Sequence, residues 1–254
     1  MAKRRFEEIK KGRIKDTFGI NPNIDLQWNR EVFNPFNLPS ALHEWNYQNA
    51  TDVGTTVTAI DTGSIGGFDM TNPTAVEKPT LTSNGFGFSG SQGLKYNTSA
   101  FRSSDASGVV HTLVYFDANN MQTFATADSA SELSDRYRFI VVSENSRFQI
   151  CKSGSIANQI TTATYSGWKL VSIVNNGIDN FHYIDGVEIL SFSVDNVGGN
   201  WFNQISANDN ISIGVTYRLT PIYGTGNVKY VAYCGYVSKA SAEADMNLIL
   251  NSGL

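Results

Sequence analysis

Short runs of alternating apolar residues, each ended by Gly, Asn or Asp, recur from Val57 to Val237 and constrain the fold of this chain more than any other feature. The runs are VTAI (57–60), FGFSG and GLKYN (86–97), VVHTLVYFD (109–117), MQTFATAD (121–128), RYRFIVVSE (136–144) and RFQICKSG (147–154). They continue with QITTATY (159–165), WKLVSIVN (168–175), FHYID (181–185), GVEILSFSV (186–194), NISIGVTYR (210–218) and NVKYVAYCGYV (227–237). Alternate side chains of a strand point to opposite faces, and breaks at intervals of roughly ten residues are those of a sandwich or jelly roll. Asp185-Gly186 fits a type I′ hairpin, which needs positive φ at both positions, and Asn176-Gly177 and Asn145-Ser146 mark two more tight turns. The aromatic content of 12% and the charged content of 17% suit half-buried pleated surfaces. A chain of 254 residues buries a core large enough to need no disulfide or metal. After Val237 the period changes: Ser238 is placed as an N-cap, Ala242, Met246, Ile249 and Leu250 share one helical face, and Asn251 to Gly253 close the helix.

The first 40 residues do not share this pattern. Residues 1–15 hold seven basic residues (Lys3, Arg4, Arg5, Lys10, Lys11, Arg13, Lys15) against two acids, a charge of +5, and the rest carries −9. Pro22, Pro35 and Pro39 disfavour a long helix or a central strand there, yet Phe6, Trp28, Phe33 and Phe36 are too apolar for a solvated linker. The expected organisation is an extended assembly arm over residues 1–40 and a sandwich over 41–254. No apolar stretch has the length of a signal-peptide core or a membrane span, so synthesis and retention in the cytoplasm are expected. The acidic body disfavours nucleic acid, leaving only the arm as a contact for it. The cysteines, Cys151 and Cys234, lie in strand-like runs and are expected as buried free thiols, or as a disulfide if their strands are neighbours; without a C-x-x-C pair, a structural zinc site is not expected.

The segment SGWKLVSIVNNGIDNFHYIDGVEILSF resembles the heart of the concanavalin A-like lectin/glucanase superfamily, especially its laminin G-like and pentraxin-like domains, through Trp168, Leu170, Ile173, Tyr183, Asp185 and Gly186. The C-terminal part is similar through Ile213, Gly214, Val228, Tyr230, Val231, Tyr236, Ser238 and Glu243. The opening resembles phage and bacterial variants through Pro79, Thr80, Leu81, Asn84, Gly85 and Phe88. The resemblance implies an all-β antiparallel sandwich jelly roll with an extended N-terminal arm and a short C-terminal helix. It is weak on function, because folds of this kind host lectins, hydrolases, receptors and virion parts.

Hydrolases of that superfamily carry Glu-x-Asp-x-x-Glu on one strand. Here Glu243 and Asp245 are followed by Leu248 and fall on the expected helix, as a solvated face, while Glu132 and Asp135 are wrongly spaced. His43, His111 and His182 belong to no triad or metal motif, and His111 is expected as a satisfied strand residue. No catalytic residue and no required cofactor is assigned. Calcium is the ion left open, on Asp179, Asn180, Asp195, Asn196, Asn208 and Asp209, which are also good turn formers. For carbohydrate, Trp201 with Phe202 is the expected exposed platform and Tyr223 the second, the alternative being loop aromatics folded onto the core. The expectation is a non-enzymatic virion structural protein, a capsid- or tail-attached decoration or fibre component assembled in the host cytoplasm. Its partners would be other virion proteins, further copies of itself and a surface glycan. A free carbohydrate-binding module is the alternative, followed by a glycoside hydrolase of the same fold.

Overall fold

The computed structural model describes residues 36–99, 101–116, 121–131, 137–143, 147–152, 155–161, 166–193, 201–204 and 207–254. The arm residues Lys3, Arg4, Arg5, Phe6, Lys10, Lys11, Arg13, Trp28 and Phe33 lie outside this range, as do the Asn145-Ser146 turn and Asp195 and Asn196. Phe36 lies within it, its ring 5.7 Å from that of Tyr230.

The recurrent runs form two antiparallel sheets, whose strands are numbered in chain order. Sheet one runs β15 (Val187–Ser193), β14 (Asp179–Ile184), β13 (Gly167–Asn175), β8 (Gly108–Phe116), β19 (Thr225–Cys234), β6 (Gly85–Ser89), β5 (Thr80–Thr82), with β1 (Ala41–Asn46) also paired to β19. Sheet two runs β12 (Ser155–Thr161), β11 (Arg147–Lys152), β10 (Tyr137–Ser143), β9 (Met121–Ala127), β16 (Asn210–Ile213), β7 (Leu94–Asn97), β4 (Met70–Thr71), β3 (Thr56–Ala59), β2 (Thr51–Val53). A short ribbon joins β17 (Val215–Thr216) to β18 (Ile222–Tyr223). The expected all-β sandwich with a C-terminal helix is the fold.

Between the sheets lies a core of Trp45, Phe86, Phe88, Val110, Val114, Phe124, Ile173, Ile211, Ile213 and Val228 with their neighbours. A second core covers the outer face of sheet one, where Val109, Leu113, Leu170, Val174, Tyr230 and Ala232 meet the helix α1 (Lys239–Leu250). Sheet one is thus buried on both faces in this region, which is why β8 reads as the near-continuous apolar run VVHTLVY. Ser238 caps α1 by accepting from the Ser241 N–H at 3.0 Å, and Ala242, Met246 and Ile249 are buried as expected. Leu250 is not: it is 42% exposed, in the last turn beside the Asp185-Gly186 hairpin at the sheet margin. That hairpin has φ of 49° and 76°, positive at both positions as type I′ requires. Asn176 closes its turn by accepting from the Ile178 N–H at 2.7 Å.

Three departures from the sequence reading stand out. β1 breaks alternation because His43 and Glu44 are buried in it. Glu44 accepts from the Leu38 N–H (2.9 Å), the Tyr230 hydroxyl (2.6 Å) and the Thr62 hydroxyl (3.1 Å), and Asp61 accepts from the Glu44 N–H (2.9 Å) and meets His43 Nδ1 at 2.8 Å. Burial raises the Glu44 carboxyl above its ordinary value, against these hydrogen bonds. Second, NISIGVTYR breaks at Gly214, where φ is +83° and a Cβ would lie 2.3 Å from the Phe88 ring. Third, β12 starts at Ser155, ahead of the expected Gln159. Cys234 is a buried free thiol in sheet one, as expected, and Cys151 belongs to β11 of sheet two, so their strands are not neighbours and the disulfide alternative falls away. No helix among the described residues is long and apolar enough to cross a membrane.

His182 faces the core, and burial pulls its imidazole from 6.5 down to about 4. A histidine whose folded value is depressed leaves stability intact above the unfolded value and removes it as pH falls toward the folded one. Urea denaturation between pH 7 and pH 4.5 is expected to show stability falling through this window, with a shallower fall in His182→Gln.

Candidate functional site

Among the described residues, the outer face of sheet one is covered by α1 and residues 36–38 at one end and open at the other. The open end is built by β13, β8, β19, β6 and β5. Trp168 at the start of β13 pairs with Tyr115 near the end of β8, so both rings share a face. They meet edge to face at 5.5 Å, and Tyr115 is 39% exposed. β19 carries an irregularity between Val228 and Tyr230, which changes which side chains face outward. Lys229 lies there, its Nζ 4.7 Å from the Trp168 ring centre and 5.7 Å from that of Tyr47. A cation on an aromatic face orders both groups at modest energy, about 0.5–1 kcal/mol when exposed.

One strand interval along β19, about 7 Å from Lys229, Asn227 sits opposite Gly87 of β6, which in turn sits opposite Thr80 of β5. Gly87 floors a hollow: a Cβ there would come to 3.0 Å from Asn227 Oδ1 and 3.7 Å from Thr80 Cβ. The cleft over it has a volume of about 390 Å³ and is lined by hydroxyl and amide side chains, among them Thr80, Thr82, Asn84, Gln92, Thr225 and Asn227. None of its lining residues is ionisable. An aromatic pair with an ordered cation and a neutral polar hollow therefore share one open surface. The sequence did not single out this group: Trp168 read as a fold marker, and strand pairing alone brings Tyr115, Lys229 and Asn227 beside it.

The residues that were singled out lie elsewhere. Trp201 and Phe202 are each only 2% exposed, which removes them as a surface platform. The Trp201 indole N–H donates to the Tyr233 hydroxyl at 2.9 Å, Tyr233 donates to Asp105 at 2.7 Å, and Phe202 packs edge to face on Phe101. The loop aromatics are folded onto the core because each large apolar ring gains more by burial than by exposure. Tyr223 is half-buried and donates to Glu77 Oε1 at 2.9 Å, and Tyr217 donates to the same oxygen at 3.0 Å. Burial and this carboxylate push the Tyr223 phenol up to about 12. Glu243 and Asp245 lie on α1 but are anchored rather than solvated, accepting from Tyr183 (3.0 Å) and Ser40 (2.7 Å). Of the residues left open for calcium, Asn180, Asn208 and Asp209 have side-chain oxygens accepting from Asn175, the Phe101 N–H and the Ser129 N–H, as turn-forming residues do.

No family model matches the chain, and no curated protein matches it. Among solved structures it is similar in fold to a Trypanosoma rangeli sialidase in complex with sialic acid, with a TM-score of 0.57 and 12% identity over 85% of this chain and 34% of that one. A Ruminococcus gnavus IT-sialidase CBM40 bound to α2,3-sialyllactose superposes with a TM-score of 0.47 and 11% identity, over 54% of this chain and 80% of that one. The likeness to the first is one of fold, a β-sandwich of the kind expected from the sequence, and the chain spans about a third of that sialidase.

The burial contrast has a direct readout. Trp201→Ala is expected to cost about 3–5 kcal/mol in urea denaturation, as for a core aromatic, whereas Trp168→Ala is expected to cost about 1 kcal/mol.

Proposed function

We propose that residues 41–254 form a carbohydrate-binding module that does not hydrolyse its ligand, and that the basic arm mounts it on a larger assembly of the virion kind. The observation that carries the binding reading is the Trp168–Tyr115 pair beside the Gly87-floored hollow on one open face. A sugar ring presents an apolar face of C–H groups and an equator of hydroxyls. The first suits an exposed aromatic, and the second suits neutral hydroxyl and amide partners that both donate and accept. Lys229, ordered over Trp168, adds a cation at the seam between the two parts. The absence of carboxylates from the hollow's lining supports binding over hydrolysis, which needs two of them across the scissile bond. The mounting reading rests on the sequence: a +5 arm against a −9 remainder, with apolar residues spaced among prolines. It carries with it the expectation of virion partners and of self-association.

A glycan array probed with the full chain is expected to give binding that falls at least tenfold in Trp168→Ala and in Gly87→Val, with no turnover of bound polysaccharide. Gly87 is extended rather than left-handed, and the atom nearest a new Cβ is the side-chain oxygen of Asn227, so a Val there fills the hollow without backbone strain. Wild-type affinity in both variants, or no glycan bound by the wild type, sinks the reading.

Removal of residues 1–35, which spares the packed Phe36 and Leu38, is expected to abolish incorporation into particles while leaving array binding intact. Unchanged incorporation would refute the mounting role.

A further inference from the structure

Beneath α1, three side chains from separate stretches of the chain converge. A ring nitrogen of His111 on β8, Sγ of Cys234 on β19 and a carboxylate oxygen of Asp245 on α1 all lie within 4.8 Å of one another. His111 and Cys234 are buried, Asp245 half-buried. His111 Nδ1 lies 2.8 Å from the Ser172 hydroxyl on β13, the strand on one side of β8, and β19 lies on the other side. Nε2, on the opposite edge of the ring, is fully buried and has no hydrogen-bond partner. Leaving a buried polar atom unsatisfied costs about 1–3 kcal/mol, so its persistence in a packed core asks for a partner. The Ser40 hydroxyl stands between the other two groups, 2.7 Å from Asp245 Oδ2 and 3.7 Å from Cys234 Sγ.

We propose that His111, Cys234 and Asp245 form a zinc-class metal site, with the Ser40 hydroxyl or a water as the fourth ligand. An imidazole, a thiolate and a carboxylate are the donor set of a borderline-soft dication, whereas hard cations take oxygen alone. Charge favours it as well: a dication with one thiolate and one carboxylate sums to zero, so nothing uncompensated is buried. Coordination breaks the Cys234 S–H bond, forms the metal–sulfur bond and releases the proton to solvent. Ligands of tetrahedral zinc are about 3.3–3.8 Å apart given bonds of 2.0–2.3 Å, so the cluster, within 4.8 Å, must tighten by up to about 1.5 Å. Asp245, the least buried of the three, is the member best placed to close that gap, carrying the Ser40 hydroxyl with it. Ser172 would act as a positioning residue, holding His111 through Nδ1. The bound ion would clip α1 and the segment before β1 to the middle of sheet one. No C-x-x-C spacing announces such a site, because its ligands come from three distant elements.

The full chain, stripped with a chelator, would be titrated with cobalt(II) and then zinc(II). The expected result is uptake of one equivalent with a thiolate-to-cobalt charge-transfer band, displacement of cobalt by zinc, and a higher melting temperature with zinc. Cys234→Ala is expected to abolish the band and Cys151→Ala to retain it. Ser172→Ala is expected to weaken affinity by about tenfold or more. No stoichiometric uptake, or a band that survives Cys234→Ala, overturns the proposal. Should Cys234→Ala fail to fold, Asp245→Asn on the half-exposed helix decides: a loss of at least tenfold supports the site, and unchanged affinity overturns it.

Discussion

Partial coverage of sheet one by α1 is the constraint on which the rest of the molecule depends. A sheet must bury one face, and here the face packed on sheet two does so along its length. Among the described residues, its other face is covered where Ala242, Met246 and Ile249, together with Leu38, settle on Val109, Leu170, Val174 and Ala232. Under the helix, polar groups such as His111 and Cys234 are cut off from water and must find partners within the protein. Beyond it, the same strands carry the exposed Tyr115 and the partly buried Trp168, Lys229 and Asn227. One structural boundary therefore separates a largely buried cluster of imidazole, thiol and carboxylate from a more open aromatic and polar surface.

The other structural requirement is the polar seam of β1. Glu44 and Asp61 are buried carboxylates, and each is held by several donors that come from different parts of the chain: Leu38, Thr62, Tyr230, Gly63 and the His43 ring. Removing one donor to such a group leaves a buried acceptor unsatisfied, at about 1–3 kcal/mol. The seam thus fixes where the chain enters the sandwich and joins the 60–69 loop to β19. It also explains why ALHEWN lacks a simple alternation, since buried His43 and Glu44, held by hydrogen bonds, stand among the core residues Ala41 and Trp45.

Aromatic residues show where sequence reading succeeds and where it fails. Trp168 opens a strand in a recognisable pattern, so its place in the fold was legible. Its role was not, because the pattern says nothing of what covers the ring. Trp201 sits in a Gly/Asn-rich stretch that allowed either an exposed platform or a ring folded onto the core, and Tyr233 receives its N–H while Phe202 packs edge to face on it in the core. Local composition reports how a segment turns, whereas burial depends on residues over thirty positions away.

By itself the sequence determined the class of the fold, most of the strands, the Asp185-Gly186 hairpin and the capped C-terminal helix. These follow from local rules: the two-residue period, the positive φ demanded by a type I′ turn, and a serine that satisfies a helix N-terminus. Only the tertiary structure decided which strands are neighbours, and with that every shared site. Pairing β13 with β8 set Trp168 against Tyr115, the irregularity in β19 placed Lys229 over Trp168, and the return of α1 over sheet one brought Asp245 to Cys234 and His111. Such contacts join residues tens of positions apart, and their energy lies in long-range packing that no local pattern encodes.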